Sequence, residues 1–178
     1  MERHEAITVI VAKFFQERRD VNPYASAETM RSLDQVIRTG LADGLARAAS
    51  AWRSVYQQQS RTMGVPTRER PFPDPAEMAK LRGYKQMGDT LSGMVSQVHA
   101  LEAPANDRVY HRIRDNDQLL ELLIAADYQL TTLAESIDRL AETLNAGSAD
   151  GLEAEFQAKV DALGAAIRER ARILSQVP

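Results

Sequence analysis

The chain contains no cysteine. This excludes disulfide stapling, thiolate catalysis and zinc sites built on sulfur, and it fits a reducing compartment. Aromatic residues are sparse, at 6% of 178 positions. With Ala, Leu, Gln, Arg and Glu plentiful instead, the composition favours helix over sheet. Long apolar runs are missing as well. The stretch "AITVIVA" at residues 6–12 is closed by Glu5 and Lys13, and no small-residue cleavage site follows it. It is too short to cross a bilayer, so the expectation is a cytoplasmic protein with no membrane span. Local catalytic signatures are equally scarce. There is no Walker loop, GxGxxG, GxSxG or HExxH. Arg108 precedes His111 by only three residues, not the wider arginine-to-histidine spacing of some helical ribonucleases.

What is present is material for a helical core. Hydrophobic residues make up 44% and charged residues 26%, enough for one all-helical domain over 1–178 with a solvated surface. The net charge of −3 is unevenly placed. Residues 47–85 carry eight bases (Arg47, Arg53, Arg61, Arg68, Arg70, Lys80, Arg82, Lys85) against three acids. Residues 86–164 carry five bases against fourteen acids. A molecule so divided attracts an anionic partner or a copy of itself.

Prolines punctuate the chain at Pro23, in "PTRERPFPDP" over residues 66–75, and at Pro104, with "NAGSADG" at 145–151 as a fourth boundary. Between these, apolar residues recur at spacings of three and four. One series runs Met30, Leu33, Ile37, Leu41, Leu45, Ala48, Trp52, Val55 and a second runs Met78, Leu81, Tyr84, Leu91, Val95, Val98, Leu101. A third runs Leu120, Leu123, Leu130, Ala134, Ile137, Ala141, Leu144 and a fourth Leu152, Phe156, Val160, Leu163, Ile167, Ala171, Leu174. Ile7, Ile10 and Phe14 place a short helix before them. The expected fold is all-α: an elongated up-down antiparallel bundle of four long helices plus a short N-terminal helix. At 1.5 Å per residue the first and third long helices would run roughly 50–60 Å and the others about 40 Å. Asp74-Pro75-Ala76-Glu77 reads as a capped helix start, with Glu77 reaching back, and Asp150 with Glu153 as a second such box. Gly147 reads as a left-handed helix end and Asn106 as a cap.

The sharpest constellation is the basic segment. Arg53, Arg61, Arg68, Arg70 and Arg82 converge with Lys80 and Lys85 where the first two long helices meet, with Trp52, Tyr56, Phe72 and Tyr84 among them. Arginines and aromatics together serve phosphate contact and base stacking, and in a homo-oligomer the basic tip would meet an acidic face of another copy. Arg53, Arg61, Arg68, Arg70, Phe72 and Arg82 are therefore the candidate interaction residues. Against that stands a plainer expectation, a solvated helix end with Trp52 and Tyr84 in the core. Gly40 and Gly44 make a small-residue step that suits a tight helix crossing or a kink. His99, Glu102, His111 and Asp115 would meet if the chain turns back at Pro104, but the Glu-x-x-His pairs of di-iron bundles are absent. No metal or cofactor is therefore expected. Asp127 and Asn116 are polar positions on an apolar seam, where such residues set register or oligomer state.

The resulting expectation is a non-enzymatic interaction or scaffold protein, a homo-oligomer or a component docking to a larger assembly. The alternative is a helical subunit of a nucleoprotein complex, gripping phosphate through the basic segment.

Overall fold

A computed structural model describes residues 24, 26–63, 68, 72, 74–101 and 107–175. These form five helices and no strand: α1 (Ala27–Thr62), α2 (Pro75–Ala100), α3 (Asp107–Arg114), α4 (Asp117–Thr143) and α5 (Ala149–Ser175). The N-terminal helix expected at Ile7 to Phe14 and the cap expected at Asn106 lie outside the described residues.

Each helix start has a chemical cause. Ser26, in extended conformation, accepts the Thr29 amide at 3.1 Å while the Thr29 hydroxyl accepts the Ser26 amide at 3.1 Å. That reciprocal pair satisfies two of the donors a helix start leaves open. Asp74 accepts the Ala76 amide at 2.9 Å, and Pro75 pre-sets the first helical φ. Among the described residues Glu77 makes no return bond, so the expected box is only half formed.

Three local expectations are corrected. The third long helix is not one helix: the chain from residue 107 to 143 breaks at Asp115 and Asn116 into α3 and α4. Asn116, read as a seam residue, is the N-cap of α4 and accepts the Leu119 amide at 3.1 Å. Gly147 is not left-handed, because Asn145 Oδ1 builds the turn by accepting the Gly147 and Ser148 amides at 2.9 and 3.1 Å. α1 runs unbroken through Gly40 and Gly44. A methyl added at Gly44 would meet Ala134 O and Asp138 Cβ at 4.0 Å, ordinary contact, so the crossing does not require glycine there.

Packing follows the stripes. α1 lies against α2 and α4, α5 lies against α4 and α2, and the short α3 bridges α1 and α4. One hydrophobic cluster joins them, with Leu33, Ile37, Leu41, Leu45, Trp52, Leu91, Ile113, Leu123, Leu130, Phe156 and Leu163 fully buried. Each such side chain contributes about 1.5–3 kcal/mol by leaving water. Trp52 anchors one half of the core, its ring 5.6 Å from Tyr84 and 5.2 Å edge-on to Phe156. On α5 the expected Phe156, Val160, Leu163 and Ile167 are buried, while towards its end Arg170 and Ile173 are buried as well and Ala171 is exposed. No helix among the described residues is long and apolar enough to cross a membrane.

Candidate functional site

The α1–α2 and α4–α5 connections share one end of the bundle, tied by Gln59 Nε2 donating to Ala146 O at 3.1 Å. A cleft of about 200 Å³ opens there, lined by Gln59, Met63, Glu77, Lys80, Tyr84 and Asp150. Asp150 was expected to cap its own helix. Instead its carboxylate accepts hydrogen bonds from the Lys80 ammonium and the Tyr84 hydroxyl, tying α2 to the first turn of α5. Those two donors hold the Asp150 carboxyl below its ordinary value. Burial, then Asp150, pushes the Tyr84 hydroxyl up, and the bond to Asp150 raises Lys80. The ammonium is thus paired and protonated, which is unsuited to nucleophilic work.

The candidate interaction residues divide on the structure. Arg61 is exposed in the last turn of α1, and Arg68 and Phe72 are exposed in the connector, Phe72 at 83%. Met78, 37% exposed, follows at the start of α2. Arg61 and Arg68 form no ion pair among the described residues. Arg53 and Arg82 are exposed further from the tip. Arg53 Nη2 donates to Ser92 Oγ at 2.6 Å, and Arg82 Nε to Met78 O at 3.3 Å. Arg70 lies outside the described residues. Trp52 and Tyr84 are core residues, so neither offers a face for stacking.

The other polar concentration is buried, at the opposite end. α2 stops at Ala100, and Arg38 Nη1 donates to Leu101 O at 2.9 Å at that boundary. In this layer Arg170 of α5, 5% exposed, bridges two carboxylates: Asp127 of α4 at 2.7 Å and Asp34 of α1. Tyr24 donates to the other oxygen of Asp127 at 3.1 Å. Arg38 Nε lies 2.8 Å from Asp34 Oδ2, an ion pair without hydrogen-bond alignment. Burial pushes the Asp127 carboxyl up, and Arg170 and Tyr24 pull it back. The two carboxylates keep Arg170 charged. Burial, reinforced by Asp127, raises the Tyr24 hydroxyl, while burial pushes Tyr110 to about 12. The Tyr110 hydroxyl has no hydrogen-bond partner among the described residues. Asp127 was expected as a polar position on an apolar seam, and it is paired. Its partners were missed. Arg170 carried a signal, sitting seven residues after Leu163 and three before Ile173, on the apolar face. Closed off and internally paired, this cluster locks α1, α4 and α5 in register.

His99 and His111 are exposed on different helices, and Glu102 lies outside the described residues. Among the described residues no three His, Asp or Glu side chains could hold a metal ion.

The chain matches no protein-family model, no curated protein and no solved structure.

Proposed function

We propose that this chain is a non-enzymatic helical-bundle protein that self-associates or docks to a larger assembly through the tip at the end of α1. One observation carries the reading: Phe72 stands 83% exposed in the connector that also exposes Arg68, after a helix end that exposes Arg61, and neither arginine forms an ion pair among the described residues. An exposed phenylalanine in an arginine-rich segment is the composition of a binding hot spot, where one aromatic anchor fills a partner's pocket. The buried charge cluster and the paired Lys80–Asp150–Tyr84 group supply rigidity beneath that surface. The test is Phe72→Ser in the full chain, with self-association read by sedimentation and partner capture read by pull-down. Binding should weaken by roughly 30-fold or more, the loss of about 2 kcal/mol that marks a hot spot. Unchanged association and capture would remove the tip from the interface.

A second reading follows from the same arginines. Arg53, Arg61, Arg68, Arg82 and Lys85 are all exposed, in a segment with excess base. Such a surface contacts nucleic-acid phosphate without stacking. Arg61→Ala with Arg68→Ala would then weaken binding evenly across sequences and lower the salt slope by about two. The burial of Trp52 and Tyr84 ranks this reading below protein contact.

A further inference from the structure

A second surface lies on the flank of the bundle, on the outer face of α4. Asp117, Glu121, Ile124, Tyr128, Thr132 and Arg139 follow one another at spacings of four, three, four, four and seven residues. Such spacing sets them on one stripe of a helix. All six are exposed, Tyr128 at 68% and Ile124 at 39%. Leu123, Leu130 and Ala134, on the opposite side of α4, are buried in the core. The only charge between Glu121 and Glu135 is Asp127, and it is buried. The middle of the stripe is therefore uncharged and centred on a tyrosine, the composition of an interface core.

The two ends of the stripe carry opposite charge. Asp117 and Glu121 stand at its start and form no ion pair among the described residues. Arg139 stands at its end, 73% exposed, with one nitrogen 3.1 Å from the Glu135 carboxylate. A guanidinium has five N–H donors, so most of them remain for a partner. Tyr128 lies eleven residues from both Asp117 and Arg139, and four from both Ile124 and Thr132. Turned end over end about Tyr128, the stripe therefore matches itself. Arg139 of each copy meets Asp117 of the other, Ile124 meets Thr132, and the two tyrosines meet at the centre. Glu121 falls opposite Glu135, whose carboxylate is 7% exposed and already paired with Arg139. A partner carrying one sign of charge would satisfy only one end, whereas an antiparallel copy satisfies both. We propose that α4 is a self-docking face that pairs two copies of this chain antiparallel about Tyr128, an isologous interface. The stripe spans about 33 Å, one helix face per copy. That falls below the roughly 1,200 Å² of a stable interface, so the dimer is transient and forms at protein concentrations on the order of 100 µM. This goes beyond the tip reading and does not rest on it.

Sedimentation velocity of the full chain over a rising concentration series reads the dimer. Tyr128→Ser changes an exposed side chain, so the fold should survive while the dimer Kd rises by about ten-fold or more. Arg139→Asp sets acid against Asp117 and should weaken the dimer several-fold. Arg139→Asp with Asp117→Arg reverses both ends together and should restore the Kd to within about three-fold of the parent. Phe72→Ser, run alongside, should leave this dimer unchanged. A monomer at every concentration, a dimer indifferent to Tyr128→Ser, or a reversed pair as weak as Arg139→Asp alone would overturn the proposal. Association lost with Phe72→Ser but kept with Tyr128→Ser would overturn it too, and would leave the tip reading standing. A second measurement changes no charge. In this cysteine-free chain, Ile124→Cys mixed with Thr132→Cys should give at least about five-fold more disulfide dimer under mild oxidation than either variant alone, because only the mixed pair stands within bridging distance. Equal yields would overturn the antiparallel register.

Discussion

Replacing Arg170 by Met removes the one cation that two buried carboxylates share, while nearly preserving volume. Asp34 and Asp127, 2% and 4% exposed, would remain in the core with that partner gone. Arg38 still lies 2.8 Å from Asp34 Oδ2, and Tyr24 still donates to Asp127, so the loss is partial. Breaking a buried pair by deleting one member costs about 3–5 kcal/mol. For a chain of this length that is a fall of roughly 6–20 °C in Tm. Urea unfolding followed by Trp52 emission reads it directly, since Trp52 is the only tryptophan and is buried. The pH dependence supplies a second check. The Asp127 carboxyl already sits above 3.8 because burial outweighs the pull of Arg170 and Tyr24. A raised carboxylate value means the folded state takes up the proton more readily than the unfolded one, so protonation favours folding as pH falls through that value toward 3.8. Deleting Arg170 raises Asp127 further. The deficit of the variant is therefore largest at neutral pH and shrinks on acidification. Asp34→Leu with Asp127→Leu and Arg170→Met should recover most of the loss, because apolar replacements of buried ion clusters are often neutral or better. A deficit below about 1 kcal/mol for Arg170→Met at neutral pH, or a triple variant as unstable as the single one, would refute the assignment of the cluster as a buried register lock.

Two tyrosines in the same layer should behave oppositely in urea titrations. Tyr24→Phe removes a hydrogen bond to a charged group and should cost about 1.5–3 kcal/mol, whereas Tyr110→Phe removes a hydroxyl with no partner among the described residues and should cost nothing or gain up to about 1 kcal/mol. Asp150 titrates below its ordinary 3.8, so its contribution is present above 3.8 and is lost as pH falls through the lower folded value. Asp150→Asn should accordingly flatten the decline of Tm between about pH 5 and 3, and an unchanged decline would show that its bonds to Lys80 and Tyr84 are not formed in solution. Trp52→Ala should lose about 3–5 kcal/mol, because Tyr84 and Phe156 lose their shared contact, and a loss under 1 kcal/mol would contradict its central place in the core.

The helices were legible because their causes are local. The stripe from Met30 to Val55 and the cap at Asp74 are written in spacing and side-chain chemistry, and the first stripe is buried throughout. The break at Asp115 was not legible, since the apolar spacing continues on both sides of it and only the capping competence of Asn116 marks the point. Asp127 could be recognised as anomalous from its position, but its partners stand 43 and 103 residues away in the chain. Pairings at that separation are made by packing, and a single sequence carries them only as charges on an apolar face. At the tip, exposure could not be read from residue type. Trp52 and Tyr84 sit among the same arginines as Phe72, yet the helical stripe takes the first two inward and the connector leaves Phe72 out.

The central claim is that the Phe72 tip is a protein-contact surface. Native mass spectrometry of the full chain at low salt, run beside Phe72→Ser, tests it most directly. The account predicts a defined homo-oligomer, or a complex with a captured protein, that the substitution dissociates while the monomer keeps its cooperative melt. A species that is the same with and without Phe72, or a nucleic-acid adduct held only at low salt, would contradict it.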